Sequence, residues 1–189
     1  MKNNVLIISG HPNLNQSFAN RAVLNEVEKL APDFKIRDLG SLYPDFMIDI
    51  QAEQDALVEA DVIVWQFPVQ WFTAPAIFKK WQDDVLVYGF AYGSTGKYLK
   101  DKKVILSVTV GGEEHEYATD STYKHTVEEF MLPQIASIPY CNMDYAGLVY
   151  SADMTYVEGA FEAEKLKKVE LKAVKHAHAL IELIKTRIL

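Results

Sequence analysis

The chain has 189 residues, 49% of them hydrophobic and 24% charged, with a formal net charge of -7. Such a chain reads as one globular domain, residues 1–189, able to bury roughly 70% of its unfolded surface. Its acidic balance leaves no basic stripe to release counterions, which argues against nucleic acid or an anionic membrane as partner. Cys141 is the single cysteine, which excludes a disulfide framework and points to a reducing, cytoplasmic setting.

Val5-Leu6-Ile7-Ile8 has the continuous apolar character of a strand buried on both faces. A loop from Ser9 to Gln16 follows, and Ser17 caps a helix whose inner stripe is Phe18, Ala22, Val23, Val27 and Leu30. Pro32-Asp33 ends that helix. Phe34 to Leu39 alternates as a shorter second strand, Gly40 to Asp49 is irregular, and Ala52 to Glu59 forms a short helix. The third strand is the apolar run from Val62, which breaks at Pro68 into a loop holding Trp71 and Phe72.

Thr73 is the expected cap of the next helix, with Pro75 in its first turn and an end near Val87. Residues 88–96 form a Gly- and Tyr-rich loop. Lys103 to Thr109 is a fourth strand running into Val110-Gly111-Gly112. The pattern then predicts a helix from about Thr122 to Ala136 and a fifth strand from Tyr145 to Tyr150. A last long helix runs from about Val157 to Lys185, with Leu166, Val169, Ala173, Ala177, Leu180 and Ile184 on one face. Its lysines between 165 and 175 form a solvated face. Strands alternating with helices imply an α/β fold whose parallel sheet carries helices on both faces. No run approaches the ~20 apolar residues of a membrane-spanning helix.

In a parallel sheet the loops after strands one, three and four emerge at one edge, where ligands of open α/β sheets bind. The first places small polar residues before a capped helix N-terminus, a local anion site or simply an ordinary capped helix. It lacks the ending of a Walker loop and the glycine spacing of a dinucleotide turn. His11 in this loop donates to a ligand or satisfies a loop carbonyl. The second loop brings Trp71 and Phe72 to the edge, as ring-binding groups or as a plug over the core. The third permits close backbone approach at Gly111 and Gly112. No His or Cys spacing suggests a metal, and no nucleophile elbow suggests a hydrolase. Cys141 reads as a core residue.

Four segments in the same order resemble the flavodoxin-like NAD(P)H:quinone oxidoreductases. They are Gly10-His11-Pro12 with Ser17-Phe18, Phe67 to Phe72 with Ala74-Pro75, Gly89-Phe90-Ala91-Tyr92, and Thr109-x-Gly111-Gly112 with Tyr117 five residues on. That family includes the DT-diaphorases, small bacterial quinone reductases, general stress proteins and ancillary subunits of potassium efflux systems. The resemblance implies a flavodoxin-like three-layer sandwich with a five-stranded parallel sheet, non-covalent FMN (or FAD), and NADPH or NADH as hydride donor.

It further implies that His11, Ser17 and Phe18 surround the phosphate and ribityl end. Pro68, Val69, Trp71 and Phe72 would line the isoalloxazine, and Thr109, Gly111, Gly112 and Tyr117 its pyrimidine edge. Quinone and nicotinamide would take turns over the exposed ring. In a homodimer, Phe72 and Tyr92 would form the substrate pocket across the subunit interface. Tyr117 is the expected catalytic residue and His125 the second. The family histidine six residues after the motif tyrosine is replaced by Tyr123, so His125 fits only with a shifted gap. The same resemblance allows two other roles: a flavin-binding regulator docked on a membrane potassium efflux protein, or a flavodoxin-type electron carrier.

Overall fold

A computed structural model describes residues 4–188; of the expected domain 1–189, residues 1–3 and 189 lie outside the described part. Five strands make one all-parallel sheet in the order β2-β1-β3-β4-β5: β1 Val5–Ser9, β2 Lys35–Asp38, β3 Val62–Pro68, β4 Lys103–Thr109 and β5 Asp144–Ser151. The connecting helices are α1 Phe18–Leu30, α2 Leu39–Leu42, α3 Ile50–Glu59, α4 Ala76–Val85, α5 Val127–Phe130, α6 Leu132–Tyr140 and α7 Ala163–Ile188.

Alternation along the strands divides the core into two halves. Leu6, Ile8, Ile63, Trp65, Phe67, Val104, Leu106 and Val108 pack on one face, with Leu39, Leu57, Phe78, Trp81 and Ile138 from the helices. Val5, Ile7, Val62, Val64 and Ile105 face the other way, against α1 and α7 through Val23, Val27, Val169, Ala173, Ala177 and Leu180. The central strands are thus buried on both faces, which is why they read as unbroken apolar runs. The five-stranded parallel sheet and the inner stripe of α7 agree with the sequence reading. Cys141 is 3% exposed, and burial pushes its thiol up to about 11.

Four elements depart from expectation, the first being α2, a short helix over Leu39–Leu42 where a strand end and an irregular stretch were expected. The helix expected from Thr122 to Ala136 is absent as such; residues 121–125 are bends, and α5 starts only at Val127. Thr126 is the reason: its hydroxyl accepts from Glu129 N, while the Glu129 carboxylate accepts from Thr126 N, a complete capping box. Met131 then leaves helical geometry, and Pro133 falls in the first turn of α6, where its missing N–H is harmless. Helix α4 has Pro75, and not Thr73, at its N-cap, because Thr73 is engaged in a turn with Gln70. Helix α7 begins six residues later than expected, after a turn closed by a bridge between Glu158 and Phe161. Among the described residues no helix is long and apolar enough to cross a membrane.

Candidate functional site

The carboxyl ends of β1, β3, β4 and β5 meet at one edge of the sheet, beside the N-terminus of α1. Ser17 is the extended N-cap of α1, and its Oγ accepts from Asn20 N at 3.1 Å. The amides of Phe18 and Ala19 lie in the first turn, where no carbonyl within the helix can accept them. Together with the positive end of the helix dipole they favour an anion there. Upstream, His11 Nδ1 accepts from Asn13 N at 3.0 Å, so the neutral ring carries its proton on Nε2. Burial lowers the His11 pKa, with the Asp38 charge partly opposing it. The loop rests on the β2–α2 corner so closely that a Cβ on Gly40 would lie 2.5 Å from His11 O.

After β3 the chain makes a two-residue hairpin turn. Gln70 N donates to Thr73 O at 2.9 Å and Thr73 N to Gln70 O at 3.1 Å. The central residues Trp71 and Phe72 have φ of 50° and 63°. Positive φ at both positions is the geometry that Asn-Gly normally supplies, and for bulky residues it costs roughly 1–2 kcal/mol each. Trp71 is 93% exposed. Phe72 packs on Tyr123 and Phe130, with ring centroids 5.4 and 4.9 Å away. The turn thus holds backbone strain at the sheet edge where ligands of such folds bind.

The loops after β4 and β5 are laced together by their backbones. Val110 N donates to Ser151 O (2.9 Å), Met154 N to Val110 O (3.0 Å) and Asp153 N to Gly112 O (2.7 Å). Asp153 also binds the ammonium groups of Lys165 and Lys172, fastening this loop to α7. A Cβ on Gly111 would lie 2.6 Å from Thr155 Oγ1, so any larger residue would have to turn that hydroxyl aside. Between these loops and α1 lies an open cavity of about 390 Å³. His11, Ser17, Phe18, Pro68, Val69, Thr109 and Gly111 line it, joining all three expected loops. Its anion-favouring helix end, backbone edges and apolar wall suit a flat, phosphorylated molecule with polar ring edges, and FMN has that chemistry.

A family model for the flavodoxin-like fold matches residues 3–177. The chain belongs to that family. An uncharacterised NAD(P)H oxidoreductase of Bacillus subtilis (strain 168) is 37% identical over 145 residues, 77% of this chain and 82% of the relative. The glutathione-regulated potassium-efflux system ancillary protein of Enterobacter sp. (strain 638) is 43% identical over 141 residues, 75% of this chain and 78% of the relative. Among solved structures, general stress protein 14 of Treponema denticola, in complex with FMN, superposes with a TM-score of 0.84 at 34% identity. It covers 95% of this chain and 99% of the neighbour.

Within this flavodoxin-like frame, Trp71, Phe72, Gly112, Tyr117, Tyr92 and His125 are not part of the cavity lining. Tyr117 stands just behind it, its hydroxyl accepting from Gly112 N at 3.1 Å. Burial, first among the causes, raises its pKa, while the Gly112 contact lowers it; the phenol is therefore a neutral donor. His125 is exposed, 3.6 Å from a Glu129 oxygen and 5.6 Å from the Phe130 ring centroid. Tyr92 lies in a second groove of about 310 Å³ with Gln134 and Tyr140, its ring centroid 5.0 Å from that of Tyr140. Gln16, Asn20, Gln70 and the segment Met154-Thr155-Tyr156-Val157 line the cavity without having been singled out from the sequence. Tyr156 stacks edge-on to Phe18, centroids 4.8 Å apart. The signal for the segment was available: it follows the carboxyl end of β5, by the same rule that selected the other three loops.

Proposed function

We propose that this flavodoxin-like chain is an FMN-dependent NAD(P)H oxidoreductase that reduces quinones by two electrons in a ping-pong cycle. The observation that carries the reading is the cavity joining the α1 N-terminus, Pro68-Val69 and Thr109-Gly111, in a chain 34% identical over 95% of its length to a protein in complex with FMN. FMN, when bound, supplies the two-electron chemistry.

The chain supplies position and electrostatics. The Ser17, Phe18 and Ala19 end of α1 receives the phosphate, with His11 Nε2–H as a further donor. Pro68 and Val69 hold the ring from one side, and Thr109 and Gly111 meet its polar edge. Tyr117, a neutral phenol fixed by Gly112 N, stands ready to stabilise negative charge that grows at that edge. Trp71 and Phe72, presented outward by their strained turn, provide the apolar walls for a second aromatic ring. We further propose a homodimer. Tyr88, Leu132 and Tyr140 are exposed beside the groove that holds Tyr92, and buried Gln134 Oε1 in that groove has no partner. Tyr92 then completes the substrate pocket of a second copy.

The test is the visible spectrum of FMN-loaded protein under anaerobic NADPH or NADH. Bleaching that benzoquinone reverses supports the reductase. Bound flavin that neither nucleotide bleaches favours an electron carrier or, given the 43% identity to the potassium-efflux ancillary protein, a regulatory subunit. Co-purification with a membrane transporter separates those two. Failure to retain FMN overturns the cavity assignment.

A further inference from the structure

Below the cavity, side chains from three strands and α1 form one neutral hydrogen-bond network. Ser9 Oγ donates to Gln66 Oε1 at 3.1 Å. Gln66 Nε2 donates to Asn20 Oδ1 at 2.7 Å, and Thr109 Oγ1 donates to the same oxygen at 3.2 Å. Asn20 Nδ2 donates to Ser17 Oγ at 3.1 Å, alongside the bond from Asn20 N. Ser9, Ser17, Asn20, Gln66 and Thr109 are all buried, so each proton has a definite destination.

Counting protons sets the polarity of both ends. Thr109 has one hydroxyl proton and Asn20 receives it, so Thr109 offers the cavity lone pairs only. Ser17 Oγ has two lone pairs and both are occupied by N–H groups of Asn20, so its own proton is left for the cavity. We propose that Asn20 is the positioning residue of the cofactor site: it makes Ser17 a donor at the phosphate end and Thr109 an acceptor at the ring end. The proposal rests on the FMN reading and deepens it. A phosphate dianion needs donors, and an isoalloxazine imide N–H needs an acceptor; one amide side chain serves both demands. Turning over the Asn20 and Gln66 amides together would satisfy the same contacts with the opposite polarity. Ser17 would then give its proton to Asn20 and face the phosphate with lone pairs alone, an arrangement that the anion rejects.

The test is titration of the flavin-free full chain with FMN and with riboflavin, read by flavin fluorescence. Ser17→Ala is expected to weaken FMN about tenfold or more and riboflavin less than about twofold, because a donor to a charged group is lost. Thr109→Val weakens both flavins alike. Asn20→Asp, whose carboxylate can only accept, draws the Ser17 proton inward and weakens FMN far more than riboflavin. In that background Ser17→Ala adds no further loss. A mere charge effect would leave the Ser17 loss intact, and that result overturns the proposal. So does a Ser17→Ala loss shared equally by both flavins, which needs no Asn20 variant to fold. If the unaltered chain binds neither flavin, the FMN reading itself fails, a result distinct from selective binding with no Asn20 dependence.

Discussion

Two buried polar clusters occupy opposite faces of the sheet, and they are built on different principles. On the α3–α4 face the Glu53 carboxylate is fully enclosed. Its Oε1 accepts from Arg37 Nε and from the Tyr43 hydroxyl, both at 2.6 Å, and its Oε2 from Trp81 Nε1 at 2.9 Å. On the α1 face the Asn20–Gln66 network carries no charge and reaches the cavity through Ser17 and Thr109. In the charged cluster both carboxylate oxygens are matched by donors of the protein itself, so its contribution is to stability and to a unique packing. An open neutral one directs its outermost hydroxyls to a ligand. Burial and hydrogen bonding alone do not distinguish structural from functional polarity; the presence of a cavity at one end does.

The difference can be broken from either side. Glu53→Ala leaves Arg37, Tyr43 and Trp81 without their acceptor. It should cost about 3–5 kcal/mol in urea unfolding and leave FMN affinity of the folded protein unchanged; a loss of FMN affinity of similar size would erase the distinction. His176 tests the deeper part of the α1–α7 face. It bridges Ser107 Oγ at 2.8 Å and Ser151 Oγ at 2.9 Å, and burial alone pushes its pKa from 6.5 to about 4. Because the unfolded chain binds this proton first, stability is expected to fall as pH drops from 6.5 towards 4. The loss reaches about 3 kcal/mol below that window. His176→Gln should flatten the slope there, which unfolding free energies measured across the pH range would show.

Gln66→Met keeps the volume but removes both amide contacts. A smaller stability loss of about 1–3 kcal/mol is expected, accompanied by weaker FMN binding, the reverse of the Glu53 pattern. The smallest effect concerns the strained turn. Trp71→Asn relieves positive φ at a site 93% exposed to solvent. It should raise stability by about 1 kcal/mol while slowing quinone turnover, measured by thermal melting and steady-state assay on the same preparation. A variant that is both more stable and equally active would remove the functional reading of that strain.

Much of the architecture was legible in local patterns. Val5 to Ile8 and the run from Val62 could be read as doubly buried strands because both faces demand apolar residues. Ser17 could be read as a cap because capping needs only its own helix. The expected helix from Thr122 failed for a local reason that periodicity overlooks: the Thr126–Glu129 box starts a helix only where it stands. The segment before it follows aromatic contacts among Tyr117, Tyr123 and Phe72 instead. The loops after strands one, three and four were recognisable by, respectively, small polar residues before a capped helix, aromatic content and paired glycines. The loop after β5 was passed over, although its position at a strand end carried the same information.

The order of the strands along the chain, the parallel sheet and the edge that carries the candidate site were determined by the sequence itself, since strand periods, caps and strand burial act over a few residues. The alternation rule even placed Ser9, Gln66, Ser107 and Thr109 on one face, each of them sharing parity with the apolar residues of its own strand. Only the tertiary structure decided that Asn20 meets Gln66 and Thr109, residues 46 and 89 positions away in the chain. It alone decided that Trp71-Phe72 turns through positive φ. Hydrogen-bond direction and backbone strain depend on which distant groups crowd one place, and no local period encodes that.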